Sequence, residues 1–324
     1  MRIIDMLGCC LCLSIALQMH AAAPTEPSED VRHFDTNGDG QFDQWETRVN
    51  GQLTHLKADR NHDTRVDYWM TYKQGKPVHA EFDTRGDGQV DQRETYNPQG
   101  EVEAVQTDRD GDGVLEQRIL YGPNKTALRI ETDTNGDGKT DQWQHFEAGK
   151  VARIVLDKDH NGSPDQWHTY RPDGTRPLME LDTSGDGRAD EWRHFQGEQL
   201  SMVKRDHNAD GHVDEIVHYD PKGNIVEVLR DFETPDQPRT RLLYEAGKLV
   251  RGEFDTNRDA KPDQWHIYDA KGRLRRAMYD QNRDGRQDQW EYFKPGQNKP
   301  YRVERDTSGN GKADAVWEQP GAKR

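Results

Sequence analysis

The sequence predicts an all-β protein, an antiparallel array of β-hairpin repeats with about 12 units of 24–25 residues forming an elongated twisted sheet or solenoid. Three observations predict it. An acidic nonapeptide recurs along the chain, its leading aspartate at positions 35, 59, 83, 108, 133, 157, 182, 206, 231, 255, 280 and 306. An aromatic residue returns thirteen places after that aspartate in ten units, from Tyr72 and Tyr96 to Tyr268 and Phe293, and seven of the eight Trp stand ten places after it. The stretches between loops are too short for parallel crossovers, which take a dozen residues or more.

In chain order, residues 1–23 come first and differ from all that follows. Arg2 leads an apolar stretch from Ile3 to Leu17, broken by Asp5, and Ala21-Ala22-Ala23 follows. That pattern predicts a secretory signal peptide, cut near Ala22 because Pro24 disfavours cleavage just before it. The alternative is a lipoprotein signal with Met6-Leu7-Gly8-Cys9 as its box, which leaves a short apolar region ahead of Cys9. Cys9, Cys10 and Cys12 all lie in this leader, so the mature chain has no thiol or disulfide chemistry. A polar linker spans 24–30, and a single repeat domain of twelve units spans 31–324.

Within a unit the expected order is loop, strand, turn, strand. Gln264-Trp-His-Ile-Tyr268 is aromatic and β-branched and predicts a strand. Asp269-Ala-Lys-Gly272 supplies turn chemistry, and Leu274 to Tyr279 predicts the returning strand. Acidic loops then line one edge of the sheet and Gly turns the other. The later intervals between leading aspartates nearly alternate between a shorter and a longer spacing that differ by a single position. That alternation admits a super-unit of two repeats and a six-bladed β-propeller as the alternative fold. The plainer reading is random variation in surface turns.

The first loop, Asp35-Thr-Asn37-Gly-Asp39-Gly40-Gln-Phe-Asp43, has oxygen-bearing side chains at its first, third, fifth and ninth places and Gly at its sixth. Those side chains, with a main-chain carbonyl and water, meet the six to eight oxygens that Ca²⁺ requires, and Gly allows the sharp bend around an ion. The same places are held by Asp59, Asn61, Asp63 and Asp67, by Asp133, Asn135, Asp137 and Asp141, and by Asp157, Asp159, Asn161 and Asp165. Asp182, Ser184, Asp186 and Asp190 follow, then Asp206, Asn208, Asp210 and Asp214. Asp255, Asn257, Asp259 and Asp263 form the next set, and Asp280, Asn282, Asp284 and Asp288 the one after. Asp108, Asp110, Asp112 and Glu116 carry four carboxylates, whereas Asp306, Ser308, Asn310 and Asp314 carry two and form the weakest expected site.

Some loops depart from the pattern. Thr64 and Ala260 replace the Gly, at a cost in strain. Arg85 takes the third place among Asp83, Asp87 and Asp91, where its guanidinium stands in for an ion. The ninth unit, from Asp231 to Arg239, has lost the ligands and is expected to hold no metal. About ten Ca²⁺ sites result, and ten dications bring the net charge of −15 to +5. The acidity therefore reads as ion-binding capacity.

These loops resemble those of EF-hands, dockerins, thrombospondin type 3 repeats and the calcium blades of FG-GAP proteins. The likeness covers the loop alone. Position twelve is Glu only at Glu46, Glu94 and Glu291, and the flanks read as strands rather than helices. The hairpin half, an aromatic followed by a turn Gly, is similar to MORN-like and YD-type bacterial repeats. No one family covers both halves, so the resemblance implies calcium binding and a hairpin array but carries no activity over.

Other chemistry is sparse. No basic stripe offers phosphate contacts, which argues against nucleic acid, and no segment after the leader is apolar enough to span a membrane. No nucleophile elbow, zinc-protease helix, phosphate loop or dinucleotide fingerprint occurs. His145, His168, His194, His218 and His266 lie on the Trp-bearing strands and read as a solvated face. The Trp rows read as core, with an exposed ladder for polysaccharide as the alternative. A unit such as Asp133 to Leu156 offers six large apolar side chains, a thin core for the chain entropy it must offset, so bound ions are expected to supply stability.

The expected protein is thus exported, periplasmic or extracellular, and non-enzymatic. Its role is structural, adhesive or scaffolding, with an unknown protein or polysaccharide partner. The alternatives are a calcium-dependent carbohydrate-binding module and a propeller-type enzyme accessory.

Overall fold

The computed structural model describes residues 28–234 and 237–319. The expected signal peptide and most of the linker lie outside the described residues, although the strand Glu29–Phe34 already begins inside the linker. The chain divides into two units, residues 1–80 and 81–324. In the first, Glu29–Phe34, Gln44–Val49, Gln52–Ala58 and Tyr68–Lys73 pair antiparallel in sequence order. The strand Lys76–Phe82 runs across the division. In the second, antiparallel pairing runs from Gln92–Tyr96 to Ala315–Glu318, each strand bonded to its neighbours in sequence. The fold is therefore the expected hairpin array. Within the second unit the pairing does not break after every fourth strand, as separate propeller blades would require, so the six-bladed alternative is corrected.

Turn chemistry accounts for the alternating interval. The shorter repeats turn through a two-residue connection, as at Asn50-Gly51 and Ala148-Gly149, all with positive φ. That is the twist-matched hairpin turn in which an Asn–Gly pair is favoured. The longer repeats connect their strands through a wider loop, such as 269–273 between Gln264–Tyr268 and Leu274–Tyr279. Asp269 organises that turn: its carboxylate accepts the Arg273 guanidinium and the amides of Arg273 and Lys271, which hold its pKa down to about 2.

The two faces differ in how they fill. On one, the register aligns Trp143, Val155, Trp167, Glu180, Trp192 and Lys204. These Trp rings recur on alternate strands, roughly 10 Å apart, and are half-buried. On the other, the register aligns Val203, Val217, Val228, Leu242, Gly252, His266 and Ala277. Burial is tightest there, with Val203 at 2 % exposure and Ala277 at 0 %. Gly252 belongs to this row because a Cβ on it would stand 2.8 Å from the Phe254 ring. The core thus rests on small and β-branched residues more than on Trp; Trp265 is the buried Trp among the described residues.

The histidines also differ from expectation. His145, His168, His194, His218 and His266 are half-buried rather than solvated. Burial pushes the imidazolium pKa of His145, His168, His194 and His266 down, keeping these rings neutral. A charged row lies next to the loop edge, where Arg205 bridges Glu191 and Glu215 at 2.7 Å each and Arg230 reaches Glu215 at 2.6 Å. Both glutamates are buried and held below the ordinary carboxyl range: burial raises them, and the arginine hydrogen bonds outweigh it.

Candidate metal centre

The loop 133–141 illustrates how the acidic sequence folds. The amides of Gly136 and Gly138 donate to Asp133, one to each oxygen, at 2.7 Å. The Asp137 amide donates to Asn135 Oδ1 at 3.0 Å and the Lys139 amide to Asp137 Oδ1 at 2.8 Å. Asp141 reaches back from the end, accepting the Thr134 amide at 2.9 Å and the Thr134 hydroxyl at 2.8 Å. Side chains of Asp, Asn and Ser readily bond main-chain amides a few residues away, which is why this composition makes a tight loop. Asp133 and Asp141 are 7 % and 5 % exposed, while Asn135 and Asp137 are exposed.

The same amide cradle holds Asp35 through Gly38 and Gly40, Asp182 through Gly185 and Gly187, and Asp306 through Gly309 and Gly311. At Asp133, burial raises the pKa but the amides of Gly138 and Gly136 outweigh it, leaving a carboxylate below its ordinary range. Thr64 and Ala260 fill the Gly place with φ of 76° and 68°, so the strain expected of them is present. The second-place threonine was not singled out in the sequence. Thr36, Thr84, Thr134, Thr183, Thr256 and Thr307 all donate a hydroxyl to the ninth carboxylate of their loop. The signal was available as a Thr directly after the leading Asp.

Successive loops are joined. The amide of a leading Asp donates to the carbonyl of the ninth residue of the loop before it, as from Asp157 to Asp141, Asp206 to Asp190 and Asp280 to Asp263. The His160 ring, from the fourth place of its loop, lies 3.1 Å from Asp141 of the preceding loop, and His62 stands in the same relation to Asp43 at 3.5 Å.

Two loops bring three carboxylates to one point among the described residues: Asp108, Asp110 and Glu116, and Asp157, Asp159 and Asp165, each with oxygens within 4.8 Å of one another. Both have Asp at the third place. Elsewhere the third place is Asn, Ser or Arg and adds no third carboxylate. The fifth side chain accepts the amide of the seventh residue in the trio loops and the others alike, as Asp112 does from Val114 and Asp39 from Gln41. The donors are oxygens throughout, which suits a hard cation. A carboxylate has about four acceptor sites, so two amides leave it able to bind a cation as well. Glu116 Oε2 in the first trio is buried without a hydrogen-bond partner, an oxygen that a cation would satisfy. Arg85 does not fill its own loop but crosses to Asp108 in the next. The ninth unit has no loop of this kind: strands Ile225–Thr234 and Gln237–Glu245 extend into its place, with Phe232 opposite Pro238.

Among the described residues no helix is long and apolar enough to cross a membrane. No protein-family model matches the chain, and no curated protein matches it. Among solved structures, it is similar to the TcdB2-TccC3 complex without its hypervariable C-terminal region, at 16 % identity and a TM-score of 0.22, over 82 % of this chain and 14 % of that one. A Photorhabdus luminescens Tc holotoxin pore matches at 12 % identity and a TM-score of 0.21, over 89 % of this chain and 17 % of that one. The chain thus spans under a fifth of the length of these structures.

Proposed function

We propose that the chain is an exported calcium-binding repeat protein with a structural or scaffolding role and no catalysis of its own. The observation that carries this reading is the recurrence of one loop geometry, in which amides fix the first and ninth carboxylates and the third and fifth side chains stay exposed. About ten loops have the oxygen set for Ca²⁺, with Asp108, Asp110 and Glu116, and Asp157, Asp159 and Asp165, the best-gathered groups. The ions would offset the repulsion among clustered carboxylates along the sheet edge, where the apolar core is thin. The leader at residues 1–23 supports export, to a compartment where calcium is abundant enough for modest sites to fill. The partner in this reading is a protein or a polysaccharide. The half-buried Trp143, Trp167 and Trp192 row favours polysaccharide as a second reading, which a glycan-binding assay with W167A would test.

Circular dichroism and thermal melting of the full chain, in EDTA and in millimolar calcium, test the main reading. At tenfold excess over Kd each site adds about 1.4 kcal/mol, so ten sites raise stability by roughly 14 kcal/mol and the melting point with it. An unchanged spectrum and melting point in EDTA would leave the loops as acidic turns and end the calcium reading.

A further inference from the structure

The third and fourth loops depart from the rest in complementary ways. The third carries Arg85 where the others carry a side-chain oxygen. The fourth carries carboxylates at all four places, Asp108, Asp110, Asp112 and Glu116, whereas the other loops have at most three. Arg85 joins the two departures. Its Nη1 donates to Asp108 Oδ2 at 3.0 Å and its Nη2 to the Asp108 carbonyl at 2.6 Å. The guanidinium carbon lies 3.7 Å from the place a Cβ on Gly111 would take, and Gln89, also from the third loop, lies where a Cβ on Gly113 would go. The third loop is thus seated on the fourth.

A second observation points to a cation there. Glu116 Oε1 accepts the Arg109 amide at 2.6 Å, but its Oε2 is shut off from solvent with no donor. Such an oxygen is costly to bury unless a donor or a cation reaches it. The Glu116 carboxylate lies within 4.8 Å of Asp108 and Asp110, so a cation satisfying it would also meet them.

We infer that Arg85 is a tethered cation that competes with a divalent ion for Asp108, setting the calcium affinity of the fourth loop below what its four carboxylates alone would give. This rests on the calcium reading above. The guanidinium offsets one of four negative charges, leaving the four ligand side chains of the fourth loop with the net charge of three carboxylates. A dication among Asp108, Asp110 and Glu116 would sit close to that guanidinium and be repelled by it. Arginine cannot relieve the conflict by losing its proton. It can withdraw, because its side chain is 34 % exposed while that of Asp108 is 2 % exposed.

The test is calorimetric calcium titration of the full chain as wild type, Arg85→Met, Arg85→Lys, Glu116→Gln and the Arg85→Met/Glu116→Gln double variant. Met keeps the apolar stem and removes the charge without adding an oxygen. Arg85→Met is expected to tighten one site about tenfold, which is about 1.4 kcal/mol. Glu116→Gln should erase that gain in the double variant, and Arg85→Lys should keep the wild-type affinity. If calcium binds but Arg85→Met leaves all sites unchanged or weaker, or Arg85→Lys tightens binding as well, charge competition is overturned while the calcium reading stands. If no form of the chain binds calcium at millimolar concentration, the calcium reading fails and this inference falls with it. Should Arg85→Met melt as an unfolded chain, Arg85→Lys against wild type still decides the role of charge.

Discussion

The main-chain amide of Asp157 donates to the carbonyl of Asp141 at 2.8 Å, so the last residue of one acidic loop is bonded to the first residue of the next. Such bonds join the loops in turn from 83–91 to 206–214, and again from 255–263 to 306–314, with the loopless ninth repeat between the two runs. A change that loosens one loop is felt first by the loops beside it.

The Thr134 hydroxyl, which donates to buried Asp141, should matter more than its exposed position suggests. Thr134→Val keeps the shape and removes the donor. We expect a loss of about 1 kcal/mol in urea unfolding, because a hydrogen bond to a charged group is worth more than a neutral one. A midpoint equal to wild type would assign the loop's order to its amides alone.

Ala260 holds a left-handed conformation, φ 68°, at the place where most loops have Gly. Ala260→Gly should stabilise the chain by about 1 kcal/mol, the strain of that conformation outweighing the entropy gained by the unfolded chain. The reverse change, Gly138→Ala at φ 83°, should cost a similar amount. Equal and opposite shifts in the urea midpoint are the expected result.

Acid should weaken the calcium-free chain through its leading aspartates. At Asp108, Asp133, Asp182 and Asp306 burial raises the carboxyl pKa, and the loop amides, joined at Asp108 by Arg85, outweigh it and hold the folded value below the ordinary one. A depressed folded pKa gives stability that is present above the unfolded value of about 3.9 and is lost as pH falls through the folded value. In EDTA, urea midpoints should stay level down to about pH 4 and drop below it. Asp133→Asn should shrink that drop. A flat profile to pH 3 would contradict the amide cradle.

Trp265 and Trp317 should behave oppositely. Trp265 is 9 % exposed and Trp317 is 52 % exposed. Trp265→Ala should cost about 3 kcal/mol and Trp317→Ala no more than about 0.5. Iodide quenching of the chain with only Trp317→Phe changed should lose its most accessible component.

Those two Trp residues also show what the sequence made legible. Aromatic and β-branched composition around a turn Gly placed Gln264–Tyr268 and Leu274–Tyr279 at their observed bounds, since strands and turn here depend on local signals. Trp317 stands one residue late in its unit, and a slip of one residue in a strand changes face: it lies opposite Val303, in the row that holds Ala277, whereas Trp290 lies opposite Met278. The carboxylate positions of each loop were legible because spacing alone defines them. Their gathering into trios follows the third place, where Asp110 and Asn135 accept the same fifth-residue amide and only Asp110 brings a carboxylate. Arg85 was noted as an odd residue, but its target lies in another loop and only the register reveals it. The Glu191, Arg205, Glu215 and Arg230 row and the extended hairpin at Phe232 and Pro238 are likewise products of cross-strand pairing.

The ladder of neighbour-only pairing has a consequence for how such a chain changes over generations. A strand bonded only to the strands before and after it carries no long-distance contact that a new unit would break. An unequal recombination that adds or removes one whole hairpin with its acidic loop restores the same pairing on both sides of the junction. Copy number is then free to drift, and the extension of the array becomes a heritable trait adjustable one hairpin at a time. Side-chain pairs between neighbouring repeats, such as Arg85 with Asp108 and His160 with Asp141, are matched to each other and must be inherited together.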